Sequence, residues 1–377
     1  MTRSYRCRLL PTARQARVLA DWLRITRELY NAALQERRDA WRKQQVSVRY
    51  FDQAAQLADV RKERGDCASV PVVILRGALY QLNKVFAAFF RRCKAGEKPG
   101  YPRYKADARW NALYIDQIDA KAIIVAGGKR VAIPLLGKAK FKQGERIKGT
   151  PKALRLTFDG RKWFVTFTCV SVQTETLPAT GATVGIDLGI HHLVATSDGE
   201  MFENPRPLGT ARLVLERAAR RLCRRRRNSH RRHEAARLLA KAHAHVANVR
   251  RETAIDVARS LVGRYDTIFV EDLNTKGLAR SALAKSVHDA AWGKIVYWLN
   301  VKAEEAGRSV VDVAPHGTSQ TCSKCGAVAE HKLTLAVRWF RCSQCGYEQD
   351  RDTNAALNIK GSGTALQGAA PLVRGRL

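Results

Sequence analysis

Acidic residues are scarce in this sequence: Asp and Glu total 34 against 67 Lys and Arg, a formal charge of +33 over 377 residues. A globular chain with that imbalance repels itself, which calls for a polyanionic partner. Nucleic acid fits best, because each neutralised phosphate releases counterions. An anionic membrane surface fits less well, since no long basic amphipathic helix stands apart from the rest. Long apolar runs are missing too. No stretch of ~18 uncharged apolar residues occurs, which excludes an ordinary membrane span. The opening MTRSYRCRLLPTARQ lacks the apolar core of a secretory signal, so the protein is expected to stay in the cytoplasm. No internal repeat is visible. Apolar residues still make up 45% of the chain, enough to bury real cores and to exclude wholesale disorder. The length suits roughly two or three domains.

Cysteine is odd in number, nine, without a secretory signal, which excludes a disulfide scaffold and points to a reducing compartment. Cys7, Cys67, Cys93, Cys169 and Cys223 are scattered singly. The other four form Cys322-Ser-Lys-Cys325-Gly and Cys342-Ser-Gln-Cys345-Gly, two knuckles with 16 residues between them. Each Gly permits a tight turn, and two knuckles complete a tetrahedral four-thiolate site, the closed form of structural zinc. One Zn²⁺ is expected, with no open position for catalysis. A hairpin at roughly 334–341 is expected to join the knuckles and to turn Arg338, Trp339 and Arg341 toward nucleic acid.

Along the chain, Tyr5 to Leu10 alternates like a strand. Thr12-x-x-Gln15 resembles a capping box. Leu19, Trp22, Leu23, Thr26, Tyr30, Ala33 and Leu34 then recur at helical spacing to about Arg42. A short helix follows at 50–61 and a longer, apolar one from about Val72 to Phe90. Strand patterns resume at 123–125, 130–133, 154–158 and 163–170, with Asp159-Gly160 as a hairpin turn. The result is a β-rich module split by helices. The polar stretch 173–183 reads as a linker. Beyond it come a strand and hairpin from 184, a long helical region at 208–262, a buried strand at 267–270, a helix at 290–306, a strand at 309–313 and a last helix at 352–360. From Gly361 onward the chain reads as a mobile tail.

Three carboxylates stand out by their placement. Asp187 lies inside the apolar strand Gly-Ile-Asp-Leu-Gly, where a charge is costly unless paired or metal-bound. Glu271 ends the apolar strand Ile-Phe-Val-Glu-Asp-Leu, and Asp352 opens the helix in Arg-Asp-Thr-Asn-Ala-Ala-Leu-Asn-Ile. Phosphodiester hydrolysis by two divalent ions needs carboxylates converging from rigid elements, and Mg²⁺ prefers such oxygen ligands. Singly, each has a plainer use: Asp187 bonding a backbone turn, Glu271 as a surface strand end, Asp352 as an N-cap. Asp350 competes with Asp352 for the metal role, and Asp272 with Glu271. His191 and His192 read as hairpin residues near substrate rather than ligands.

Taken together, GIDLG, FVEDL, the double CxxC unit and DRDTNAALNI resemble the RuvC nuclease domain of the TnpB proteins, the transposon-encoded relatives of the miniature type V CRISPR effectors. YRCRLLPTARQ, LYNAAL, the AFFRRCK and GYPRYK stretches and the segment containing Trp292 extend the resemblance from Tyr5 to about Lys360. It implies a multidomain α+β protein. A wedge-like β-barrel at 1–10 and 96–172 is interrupted by a helical recognition insertion at 11–95. After the linker at 173–183 comes an RNase H-like (RuvC) α/β nuclease domain at 184–314 and 348–361. A zinc ribbon that binds target nucleic acid is inserted at 315–347, and 362–377 is a flexible tail. The resemblance also implies a D-E-D triad, carried onto Asp187, Glu271 and Asp352, with two Mg²⁺ ions. The family pattern sets the last ligand two residues before the first Asn of NAA.

Its implied partners are a guide RNA from the transposon end and target double-stranded and single-stranded DNA. The DNA is cut beside a short motif that the protein itself reads. A monomer with its RNA, in the prokaryotic cytosol or nucleoid, is the implied state. A small CRISPR effector of the same fold is one alternative, disfavoured by the short length. A nuclease-dead repressor is another, disfavoured by the complete triad. Candidate nucleic-acid contacts are Tyr50, Arg76 and the run Tyr101, Arg103, Tyr104 and Lys105, where aromatics interleave with cations. That run also reads as an ordinary loop with its tyrosines on a core. Arg224, Arg225, Arg226 and Arg227, in an arginine-crowded helical stretch, are candidates for phosphate contacts or for a solvated face.

Overall fold

The alternation in RSYRCRLL becomes strand β1 (Arg3–Leu10), with Tyr5, Cys7 and Leu9 buried and Arg6 and Arg8 outward. The computed structural model describes residues 2–116, 124–125, 129–144, 147–172, 176–227, 229–273, 275–278, 284–315, 317–331, 333 and 337–368. The chain divides into two units, Met1–Gln173 and Thr174–Leu377.

In the first unit, helix α1 (Ala13–Gln44) starts at the expected capping box: the Gln15 N–H donates to the Thr12 hydroxyl at 3.2 Å and the Thr12 N–H to the Gln15 side chain at 3.1 Å. The single helix expected at 50–61 is instead α2 (Tyr50–Ala55) and α3 (Leu57–Glu63), followed by α4 (Gly65–Ala68). Helix α5 (Val72–Lys94) is long and apolar enough, by length and composition, to cross a membrane. Arg76 and Lys84 interrupt it, however, and Ile74, Leu75, Leu79 and Leu82 are buried in the same core as Trp22 and Tyr30 of α1.

The remaining strands are β2 (Ala112–Ile115), β3 (Ile124–Val125), β4 (Arg130–Ile133), β5 (Gly137–Lys142), β6 (Thr150–Phe158) and β7 (Trp163–Val170). With β1 they make one antiparallel sheet in the order β2-β6-β7-β1-β5-β4-β3. Among the described residues no pairing joins β2 to β3, which stand at the two edges of a half-barrel sheet. Its β2 end packs on α5 and α1 instead of on another strand. Ile123, the expected start of β3, lies outside the described residues. Strand β5 was not anticipated, because in GKAKFK only Ala139 and Phe141 turn inward between lysines.

The second unit is built on β8 (Thr183–Asp187), β9 (His192–Thr196), β10 (Met201–Glu203), β11 (Thr267–Glu271) and β12 (Ser309–Val313). Their order is β10-β9-β8-β11-β12; β8, β9 and β10 are antiparallel, while β11 runs parallel to β8 and β12 parallel to β11. The long helical region is two helices, α6 (Pro207–Cys223) and α7 (His230–Arg264). Ser229 caps α7, and the Arg232 guanidinium donates to the Leu222 and Arg225 carbonyls, closing the end of α6. After β11 come α8 (Thr275–Leu278), α9 (Ala284–Ala290) and α10 (Trp292–Ala306). The small strands β13 (Trp339–Arg341) and β14 (Glu348–Asp350) lead into α11 (Arg351–Gly368).

Two expectations change here. Part of the expected linker is fastened to this unit: the Thr180 and Gly181 N–H groups donate to the Asp266 carboxylate at 2.9 and 2.7 Å, and the Leu177 N–H to the Ala306 carbonyl at 3.0 Å. The expected tail is helical as far as Gly368. Gly363 lets α11 run against the Phe269 ring, whose nearest carbon would lie 2.1 Å from an added Cβ. Residues 369–377 lie outside the described residues.

Contact between α11 and β8 is equally tight. A Cβ on Gly185 would lie 2.2 Å from the Ala356 carbonyl oxygen and 2.6 Å from the Lys360 nitrogen, both backbone atoms that cannot swing away. Gly185→Ala is therefore expected to push α11 off the sheet and destabilise the second unit by ~1–3 kcal/mol. Thermal unfolding checks this; an unchanged melting temperature would refute it.

Candidate active site and nucleic-acid interface

Pairing of β11 with β8 sets Val270 level with Ile186, so Glu271 and Asp187 leave neighbouring strand ends side by side. Helix α11 packs along β8 and carries Asp352 in its first turn. Burial pushes the Asp187 carboxyl up to about 7, helped by the negative charges of Asp352 and Glu271 and opposed by Arg351. Burial also raises Glu271, opposed by the Thr318 hydroxyl, which donates to its Oε1 at 2.9 Å. Asp352 is buried and paired with Arg338.

The rival acids have other work. Asp350 Oδ1 accepts the N–H groups of Asp352 and Thr353, at 2.9 and 3.2 Å, so Asp350 is the cap of α11. Asp272 is exposed. His191 and His192 pack edge to face at 4.4 Å, with His192 Nδ1 3.4 Å from Glu203. The structure thus brings Asp187, Glu271 and Asp352 together, and a cation among them would relieve the cost that burial puts on ionising Asp187 and Glu271. Among the described residues only the four thiols gather three or more donor atoms within 4.8 Å of one another.

Those thiols fit zinc. Cys322 Sγ lies 3.7 Å from Cys345 Sγ, and Cys325 Sγ 3.6 Å from Cys342 Sγ. A tetrahedron with Zn–S of ~2.3 Å has edges of ~3.8 Å. Both knuckles are the same turn: Gly326 and Gly346 take positive φ, and their N–H groups return to the carbonyls of Cys322 and Cys342. Backbone N–H groups of Cys345 and Gln344 aimed at the sulfur bring the Cys342 thiol down to about 7, while Cys325, despite the Ala327 N–H, is pushed up to about 12 by the crowding of the other three thiols.

A hairpin spans the second knuckle: Trp339 pairs with Asp350 and Arg341 with Glu348. The one expected at roughly 334–341 falls partly on 334–336, outside the described residues. Of the side chains expected to face nucleic acid, Trp339 is exposed, Arg338 is on Asp352, and Arg341 is 2.6 Å from Glu348. Asn354 and Asn358 fasten this unit to α11. The Asn354 amide donates to the Thr321 carbonyl at 2.8 Å and accepts the Ser323 N–H at 3.0 Å. The Asn358 amide donates to the Thr318 and Thr321 carbonyls, each at 2.7 Å.

In the first unit Tyr50 and Arg76 line one open groove of about 1170 Å³ together with Arg49, Tyr80, Asn83 and Lys84. Sequence reasoning missed these last four, although Tyr80, Asn83 and Lys84 share one helical face with Arg76. The loop at 101–105 packs on the helices, as its plainer reading expects. Tyr101 packs edge-on against Phe86 and Phe89, Tyr104 bonds Gln35, and the Lys105 backbone exchanges two hydrogen bonds with Asn31. Both tyrosines nonetheless stay partly exposed, and Arg103 is exposed. In the second unit Arg224 and Arg225, with Arg217, Arg220 and Arg221, enclose a recess of about 450 Å³ lined by arginine alone. Arg226 and Arg227 are exposed in the connection that follows. Arg217, Arg220, Arg221 and Arg224 follow one face at the C-terminal end of α6, and Arg226 and Arg227 lie in the turn before α7.

Three family models match the chain: "Helix-turn-helix domain" over residues 1–45, "Probable transposase" over 167–282 and "Cas12f1-like, TNB domain" over 292–359. Residues 1–45 here hold β1 and α1. The chain is 33% identical over 380 residues to a Streptomyces pristinaespiralis protein named "Putative RNA-guided DNA endonuclease", covering 99% of this chain and 92% of that one. It is 25% identical over 319 residues to InsQ of Escherichia coli K12, of the same description, covering 80% and 76%. Over 95 residues it is 40% identical to the CRISPR-associated endodeoxyribonuclease Cas12f1 of Sulfoacidibacillus thermotolerans, covering 25% of this chain and 21% of that one. With a third of its residues shared across almost its full length, the chain belongs to the TnpB family.

Proposed function

We propose that this protein is a transposon-encoded, RNA-guided DNA endonuclease that cuts target DNA at Asp187, Glu271 and Asp352. The observation that carries this reading is the convergence of three carboxylates, Asp352 buried and Asp187 and Glu271 half-buried, at the ends of β8 and β11 and the start of α11. An antiparallel β10-β9-β8 run continued by parallel β11 and β12 supports an RNase H-like, RuvC reading of the second unit. Asp187, Glu271 and Asp352 would hold two Mg²⁺ ions, which would supply charge stabilisation and an activated water for phosphodiester hydrolysis. The chain's own residues hold the acids in place: Asp350 caps α11, Arg351 tempers the charge at Asp187, and the Trp292 indole donates to the Gly189 carbonyl at 3.0 Å. The four-cysteine unit is the zinc ribbon, with Trp339 toward the target.

In the first unit the half-barrel sheet is the wedge and the helices between β1 and β2 the recognition insertion. Its groove, with Tyr50 and Arg76, takes the short duplex motif, while base pairing with the guide reads the rest. The guide RNA comes from the transposon end and binds a single chain in the bacterial nucleoid. Sequencing the RNA that copurifies with the protein, then reconstituting cleavage with it, tests the proposal. A discrete RNA ending at the transposon terminus, with Mg²⁺-dependent cutting of matching DNA, is expected. Cutting that ignores the RNA sequence would overturn it.

The arginine recess is expected to hold nucleic-acid phosphates, which carry little sequence information. Alanine at Arg224, Arg225, Arg226 and Arg227 should weaken binding of every guide and target alike. It should also flatten the log–log salt slope by ~0.7–0.9 per lost contact. An unchanged slope would show that these arginines face only water.

A further inference from the structure

We infer that Thr318 is a positioning residue for Glu271, seated by the four-cysteine unit and α11 rather than by the sheet that carries the glutamate. This rests on reading Glu271 as a metal ligand. Nothing in β11 orients the glutamate side chain, because strand pairing uses only its backbone. Among the described residues, the hydrogen bond its carboxylate receives is the one from the Thr318 hydroxyl, at 2.9 Å. Thr318 is buried, in the turn that follows Gly317.

That turn is held from the other side. Asn358 donates to the Thr318 and Thr321 carbonyls, and Asn354, one helical turn earlier, holds the Thr321 carbonyl and the Ser323 N–H on either side of Cys322. Both asparagines belong to α11, whose first turn presents Asp352. One helix therefore places Asp352 directly and Glu271 through Thr318, and the first knuckle is hydrogen-bonded into the same path. A donor on one carboxylate oxygen fixes the direction in which the other meets a cation, and losing such a partner typically costs ~10–100-fold in metal affinity.

The test uses the full chain with Thr318→Val, which keeps the shape and loses the hydroxyl, and Thr318→Ser, which keeps the hydroxyl. Two readouts are taken: the Mg²⁺ concentration for half-maximal cleavage by RNA-loaded protein, and tryptophan-sensitised Tb³⁺ luminescence of the chain alone. Trp292, bonded to Gly189, is the local energy donor. Thr318→Val should need ~10–100-fold more Mg²⁺ and bind Tb³⁺ correspondingly more weakly, with kcat at saturating Mg²⁺ little changed. Thr318→Ser should match the parent. Thr318→Ala repeats the measurement should the valine variant fail to fold.

Parent-like Mg²⁺ dependence and Tb³⁺ affinity without the hydroxyl would overturn the inference, as would a serine variant as impaired as the valine. Glu271→Ala separates the two levels. If it still cuts and binds Tb³⁺ like the parent, the reading of Glu271 as a ligand is wrong. If it is inactive while Thr318→Val is normal, only the role of Thr318 falls.

Discussion

Alanine in place of Asp187, Glu271 or Asp352 is expected to abolish DNA cleavage, a loss on the order of 10⁴-fold for groups that act as a unit, and to leave guide-RNA binding intact. Asp350→Ala is the contrast. It removes the cap of α11, worth ~0.5–2 kcal/mol, and should keep cutting. Stability should move against activity at Asp187. Its carboxyl is raised from 3.8 to about 7 in the folded chain, first by burial and then by Asp352 and Glu271. The folded state thus holds this proton more tightly than the unfolded one. Stability from this group is lost as pH rises from about 4 to about 7, by ~4 kcal/mol in all. Asp187→Asn should therefore melt higher than the parent above pH 7 in the absence of divalent ions, and no higher near pH 4. Added Mg²⁺ should close the gap by stabilising only the parent. Full cleavage by any of the three alanine variants, or loss of RNA binding along with cleavage, would refute the assignment.

Chemistry-bearing residues were legible where their cost was local. A charge inside GIDLG, or four thiols at knuckle spacing, demands an explanation within a few residues of itself. What arises between distant segments left no such trace. Thr318 looks like any loop threonine until Asn358 and Glu271 are seen on either side of it. The pairing of Trp339 with Asp350 spans the second knuckle, and nothing in the apolar pattern selects that register over a closer hairpin. Two errors came from reading local propensity alone. Gly361, Ser362, Gly363 and Thr364 disfavour helix, but contact with Phe269 carries α11 through them. The arginines at 224–227 fit a helix by propensity, but Ser229 caps a new helix and Arg232 closes the old one.

Serine at both Cys322 and Cys325 is expected to remove the whole of one zinc equivalent and to unfold the unit between residues 315 and 347. The parent should carry about one zinc per chain, as four thiolates at S···S distances of 3.6 to 3.7 Å require. The loss should be large because the unit has little else to hold it. Its described core is Cys322, Phe340 and Cys342 with a few partly buried neighbours. Structural zinc contributes ~10–16 kcal/mol to units of this kind. Cleavage should fall as well, since Asn354 and Asn358 would lose the carbonyls that tie Thr318, and through it Glu271, to α11. Unfolding of the first unit should stay unchanged. Metal analysis, protease sensitivity near residues 315–347 and cleavage rate are the three measurements. Chelation of the parent should reproduce all three effects, and added zinc should reverse them in the parent but not in the serine variant. A parent purified without chelator and free of zinc would refute the metal. A zinc-free variant that still cuts at the parent rate would show that the ribbon and the carboxylates are independent.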